Sequence, residues 1–200
     1  MIKISSAVWP LCVLFMLTAG CAKDEPIEFK EAEETEQRLV FSAPQLVNSE
    51  HNFLSRTTLY SREELVTYSV EDGALAMLWY GQILGQGRWR KDQEHQVEEA
   101  VRKWPGLEDA SFELKSGGTV RSGIGGARYW RFRPNDVRDC FAINHFWTPT
   151  FYDQGGFRDW VNGIYCHLYE QSLTDSEIAE ILSRLDVRIG DENPAGTRRD

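Results

Sequence analysis

Asp72-Gly73 stands between two apolar-rich runs, Leu65 to Val70 and Ala74 to Leu84. Asp-Gly between β-formers is the strongest short-range hairpin signal, because both central positions of the tight turn need positive φ. The dipeptide predicts two paired antiparallel strands. In the second run Leu75, Met77, Trp79 and Ile83 share one face of a strand, an apolar stripe suited to a core. Asp92 to Trp104 then reads as a helix. Asp92 can cap it, Val97, Ala100, Val101 and Trp104 form its apolar stripe, and Pro105-Gly106 stops it. Ala110 to Lys115, Ala127 to Arg133, Arg138 to Trp147 and Trp160 to Tyr169 read as strands. Ser116-Gly117-Gly118 and Pro134-Asn135-Asp136 read as turns between them. Thr174-Asp175-Ser176-Glu177 is a capping box for a second helix, with Ile178, Ile181, Leu182 and Leu185 as its buried stripe and Gly190 as its end. Leu39 to Leu59 is apolar without a sustained period and predicts irregular structure packed on the domain. The order hairpin, helix, strands, helix defines α+β with an antiparallel sheet and two main helices.

Residues 39–189 make a single α+β domain of a size that supports a real core. Residues 190–200 read as a flexible polar tail. The element order is similar to that of the Mog1/PsbP-like sandwiches, a likeness of fold that carries no function.

The start of the chain is of another kind. Lys3 gives it a weak positive charge, and an apolar run extends from Ala7 to Gly20, interrupted mildly by Pro10 and Thr18. A helix of ~14 residues covers roughly 21 Å, whereas a bilayer core needs nearer ~30 Å. The run has the length of a secretory signal's apolar region and is short for a spanning helix. Small residues precede Cys21. Leu17-Thr18-Ala19-Gly20-Cys21 resembles the lipobox of bacterial lipoproteins, with Thr18 where that family usually has Leu. The resemblance implies that residues 1–20 are removed as a signal peptide and that the Cys21 thiol is lipidated and becomes the new amino terminus. It further implies three acyl chains, which suffice for firm anchoring in the lipid bilayer. Ala22 rather than Asp after the cysteine points to the outer membrane, periplasmic side. The alternatives are an ordinary cleaved signal with an incidental cysteine and an uncleaved anchor.

Residues 21–38 follow as an acidic linker. Asp24, Glu25, Glu28, Glu31, Glu33, Glu34 and Glu36 stand against Lys23 and Lys30, with little apolar surface to offset the entropy of ordering. Such a stretch is solvated, and it can repel anionic head groups and hold a domain off the membrane.

Under the lipoprotein resemblance Cys12 leaves with the signal and Cys21 carries lipid, so Cys140 and Cys166 remain. An even pair in an oxidising compartment reads as a disulfide. The run from Arg128-Tyr129-Trp130-Arg131-Phe132 through Cys140-Phe141 and Gly163-Ile164-Tyr165-Cys166 to Leu173-Thr174 resembles the tail of small exported bacterial proteins without an assigned activity. That likeness also implies export and a paired cysteine. If Cys140 and Cys166 are directly opposed on antiparallel strands, Phe141 faces Tyr165, Ile143 faces Gly163 and Asp139 faces His167. Opposed side chains are close enough for an Asp139–His167 hydrogen bond.

Zinc is a rival use of these cysteines, with His145 and His167 near them. Neighbouring strand residues point to opposite faces, so one ion cannot easily collect all four, and no metal or cofactor is expected. Gly117-Gly118 and Gly123-x-Gly125-Gly126 lack the following helix of a phosphate cradle and read as turns. Neither a nucleophile elbow nor His-Glu-x-x-His occurs. Asp139, His145, Asp153, Asp159 and His167 fall in one stretch, and Asp139, His145, Asp153 and His167 form a candidate polar site. Trp130, Trp147, Trp160, Tyr152 and Tyr165, with Arg128, Arg131 and Arg158, are candidates for an aromatic platform toward a glycan or partner protein, although half of any strand's aromatics face the core. A formal charge of −9 disfavours nucleic acid. Two functions stand: a noncatalytic binding or accessory envelope module, or a hydrolase-like periplasmic enzyme using residues 139–167. Charged groups converging in one cleft favour the enzyme, and an exposed apolar or aromatic patch favours the binder.

Overall fold

Alternating apolar and aromatic runs pair into an antiparallel sheet whose middle is covered on both sides. The computed structural model describes residues 28–71, 73–84, 97–147, 157–167 and 171–188. Its strands are β1 (Lys30–Glu31), β2 (Leu39–Phe41), β3 (Glu50–Thr57), β4 (Ser61–Ser69), β5 (Leu75–Ile83), β6 (Lys115–Ser122), β7 (Gly125–Phe132), β8 (Cys140–Trp147), β9 (Asp159–Cys166) and β10 (Leu185–Val187). The helices are α1 (Val97–Arg102) and α2 (Asp175–Ser183). Eight strands form one sheet in the order β1-β3-β4-β5-β9-β8-β7-β6, and β10 pairs with β2 separately. This is an α+β fold with an antiparallel sheet and, among the described residues, two α-helices, and β4–β5 is the hairpin expected around Asp72-Gly73. Asp72 itself lies outside the described residues, as do Cys21, Asp92, Tyr152, Asp153 and the tail.

One face of the sheet packs Leu78, Tyr80, Phe141, Ile143 and Tyr165 against α2, β2 and β10. The opposite face packs Met77, Ala142, Ile164 and the two cysteines against Val97, Val101 and Trp104 of the α1 segment. Sheets covered on both faces lose clean alternation, and all 8 residues of β9 are buried. The expected stripe Leu75, Met77 and Trp79 faces α1, while Ala76, Leu78 and Tyr80 fill the other side. The strands have two ends. Ser61, Ile83, Trp147 and Asp159 mark the end with the β3–β4 turn, and Ser69, Leu75, Cys140 and Cys166 mark the disulfide end.

The Cys140–Cys166 disulfide is present, and the register around it is the expected one: Phe141 opposes Tyr165 and Ile143 opposes Gly163. The α2 capping box is also as read, with Thr174 Oγ1 accepting from Glu177 N at 3.3 Å and Glu177 Oε2 accepting from Thr174 N at 2.8 Å.

Five expectations are corrected. The stretch 39–59 is not irregular, for it supplies β2 and the 8-residue β3. Lys30 to Arg38 is not linker. β1 pairs with β3, and the fully buried Glu64 carboxylate accepts from Arg38 N at 2.9 Å and Leu39 N at 3.0 Å, which pins this segment to the sheet. Of Ala110 to Lys115, only Lys115 is in a strand. Ser116-Gly117-Gly118 is no turn but a bulged part of β6. Glycine is needed at 117 because a Cβ there would sit 2.0 Å from the Tyr129 ring. Helix α2 ends at Ser183, and Leu185 belongs to β10.

Candidate functional site

On one face of the sheet, Val97, Val101 and Trp104 of the α1 segment pack over the two cysteines, Met77, Ala142 and Ile164. Toward the end with the β3–β4 turn, the same face forms a cleft of about 510 Å³. Every second residue of adjacent strands points into it: Arg56 from β3, Glu63 and Leu65 from β4, Trp79 from β5, Trp160 and Asn162 from β9, Asn144 and Phe146 from β8. Phe29, Ala100, Lys103, Trp104 and Pro105 complete the wall. Trp160 lies across Gly81, where a Cβ would come within 2.4 Å of its indole.

The ring packing is edge-on rather than flat. Trp79 meets Trp160 at 5.0 Å between centroids and 69°, and Phe29 meets Trp79 at 6.2 Å and 75°. The indole N–H groups are satisfied inside the wall. Trp104 Nε1 donates to Asn162 Oδ1 at 3.0 Å, and Trp79 Nε1 donates to Glu63 Oε2 at 3.1 Å. Arg56 Nη2 lies 2.7 Å from the same Glu63 oxygen, and its guanidinium caps the Phe29 ring at 4.5 Å. Among the described residues Glu63 is the only carboxylate in the lining, and it is already bonded. The chemistry on offer is therefore a recess for an apolar group with a few polar anchors, of a volume usual for ligand sites.

A second cleft, about 690 Å³, opens at the disulfide end and is charged. It is lined by Lys115, Arg131, Arg133, Glu113, Asp136, Asp139 and Asp175, among others. Arg133 Nε is 2.8 Å from Asp139 Oδ1, Arg131 Nη1 is 3.2 Å from Asp175 Oδ1, and Leu173 N donates to Asp139 Oδ2 at 2.9 Å. Tyr129 Oη donates to Asp175 at 3.0 Å, and burial followed by this carboxylate raises the phenol's pKa.

The predicted polar site is dispersed. Asp139 and His167 are opposed as expected, with His167 N donating to Asp139 O at 2.9 Å. Their side chains go elsewhere, which corrects the predicted carboxylate–imidazole bond. Asp139 is bonded to Arg133 and Leu173, while buried His167 places Nδ1 3.2 Å from Tyr165 Oη. A guanidinium carries a full charge and outcompetes an imidazole for the carboxylate. His145 donates from Nε2 to Ile124 O at 3.2 Å and stacks on Trp147 at 5.5 Å. Asp159 is buried opposite Trp147 and is engaged by other groups, with Tyr80 Oη donating to it at 2.8 Å and Gln82 Nε2 at 3.1 Å. Burial raises its pKa despite those bonds. Among the described residues no group of three or more His, Cys, Asp or Glu is placed to hold a metal. Of the aromatic platform, Tyr165 and Trp160 are core residues and Trp147 packs on Tyr80.

Glu63, Asn144 and Asn162 were not read as site residues. One signal points to the two asparagines: the register that opposes Cys140 to Cys166 also opposes Asn144 to Asn162, two amides at inward positions of buried strands. No family model, no curated protein and no solved structure matches this chain.

Proposed function

We propose that the chain is a bacterial lipoprotein held by acylated Cys21 to the outer membrane on its periplasmic side, and that its folded domain is a noncatalytic binding module of the envelope. The observation that carries the binding reading is the apolar cleft around Trp79, Trp104 and Trp160. Trp104 and Trp160 are themselves buried, so the cleft is a recess rather than a flat stacking platform. That favours an apolar side chain of a protein partner over a sugar ring. Weighing against the hydrolase-like reading of residues 139–167 is the engagement of Asp139 by Arg133 and the Leu173 amide. The likeness of element order to the Mog1/PsbP-like sandwiches belongs to this proposal and adds no activity to it.

The test uses the full chain in its envelope. A photo-crosslinking residue in place of Lys103, on the cleft wall, should capture one protein partner, and Ala100→Trp, which fills the recess, should abolish that capture at unchanged thermal stability. A glycan adduct would replace the protein partner by a sugar. Equal capture by the Ala100→Trp chain would remove the cleft from the function.

A further inference from the structure

Leu59 and Tyr60 form the turn between β3 and β4 and are 88% and 76% exposed. Isolated exposed apolar residues need no explanation, but two adjacent ones at a hairpin tip make a projecting apolar point. The turn is firmly built. Thr58 N donates to Ser61 O at 2.7 Å, Thr58 Oγ1 accepts from Tyr60 N at 3.0 Å and Ser61 N at 2.9 Å, and Leu84 N donates to Tyr60 O at 2.8 Å.

The direction of the incoming chain supplies the second observation. β1 runs antiparallel to β3, with Lys30 opposite Ser55 and Glu31 opposite Leu54. Going backward from Lys30 therefore means moving along β3 toward Thr57 and the tip, and the Arg56 guanidinium over Phe29 holds that course. Glu28 thus lies at the end where Leu59 and Tyr60 project. Cys21 stands seven positions earlier, an extended reach of at most about 25 Å.

We propose that the Leu59-Tyr60 tip is a second, weak contact with the bilayer, Leu59 entering the acyl boundary and Tyr60 sitting at head-group level. This rests on the lipid anchor proposed above. Tyrosine is enriched at that depth because its ring is apolar and its hydroxyl wet. Two side chains alone bind a membrane too weakly to hold a free domain there. A short tether changes the balance, because it presents the tip at an effective concentration in the millimolar range. The contact orients the domain with its turn end toward the lipid and brings the cleft wall formed by Phe29 and Arg56 to the membrane side.

The experiment uses the acylated protein reconstituted in phosphatidylcholine vesicles that contain a doxyl-labelled phosphatidylcholine quenching near the head group. An environment-sensitive fluorophore is attached at position 59 (Leu59→Cys) or, as the control, at position 47 (Val47→Cys). Val47 is 78% exposed and precedes the opposite end of β3. Intact mass of the same preparations reports acylation. Quenching several-fold stronger at position 59 than at 47, with Cys21 acylated, supports the proposal. Acylated protein with equal or absent quenching at the two positions overturns it and leaves the anchor standing. An unacylated Cys21 overturns the anchor and this contact with it.

Discussion

At the disulfide end of the sheet, Arg131 and Arg133 meet Asp175 and Asp139 across a wide cleft, and the charges are spent on one another. At the opposite end a smaller cleft gathers indoles and phenyl rings around one neutralised carboxylate, and the β3–β4 turn leaves Leu59 and Tyr60 in solvent. The first end has the residue types that suggest chemistry, and the second has the surface that suggests contact. Charge content is a poor guide when each group has a close partner, since a salt-bridged cleft can be scaffold. Apolar surface left open beside a built wall is the more informative departure from ordinary burial.

If the disulfide end is scaffold, damage there should lower stability and leave partner capture at the cleft unchanged. The largest loss is expected from Cys140→Ala with Cys166→Ala. The cysteines are 26 residues apart, and on the chain-entropy model a loop of that size contributes roughly 3–4 kcal/mol. Urea unfolding at neutral pH measures it. Asp139→Ala comes next, at about 2 kcal/mol, because it strands the Leu173 amide and unbalances Arg133. Asp139→Asn should recover part of that, since the amide oxygen still accepts from Leu173. Lost capture with unchanged stability in the Asp139 variants would reverse the comparison and make the charged cleft the site.

How far the sequence shows these two ends depends on how local each signal is. The α2 capping box and the Asp72-Gly73 hairpin are decided within a few residues and are legible. The β8–β9 register is legible because a directly opposed disulfide fixes every other pair. Strand β3 is hidden because it lies one strand from the sheet edge and mixes His51, Asn52, Ser55 and Arg56 with Phe53 and Leu54, so neither face repeats cleanly. β1 carries only Lys30 and Glu31 and is held by backbone pairing with β3 and by Arg56 over the neighbouring Phe29, which no local pattern announces. The Asp139–His167 contact failed at the last step. The β8–β9 register put these two residues opposite each other, but the β7–β8 register, continued one step past Phe132–Cys140, puts Arg133 opposite Asp139 on the other side, and the guanidinium took the carboxylate. The cleft draws its wall from β3, β4, β5, β8, β9 and the α1 segment at once, so the opposed Asn144 and Asn162 become part of a wall only when those elements are brought together.

The smallest effect separates the two ends by sign rather than by size. Near the β3–β4 turn, burial raises the pKa of Asp159, and the bonds from Tyr80 and Gln82 and the fields of Arg158 and Arg38 do not undo it. The folded state then holds this proton more tightly than the unfolded state, so the contribution is present below the unfolded value near 3.8 and is lost as pH rises through the folded pKa. At the α2 amino terminus, hydrogen bonds from the Thr174 backbone and side chain lower the pKa of Glu177. Its contribution is present above the unfolded value near 4.5 and is lost as pH falls through the folded pKa. Urea unfolding of the wild type, Asp159→Asn and Glu177→Gln from pH 3 to pH 7 should therefore give difference curves of opposite slope. Asp159→Asn keeps an oxygen that accepts from Tyr80 and should gain on the wild type as pH rises. Glu177→Gln should fall behind over the same range. Parallel difference curves would show that the carboxylate buried at the turn end and the one capping α2 respond alike, and the electrostatic half of the contrast would fail.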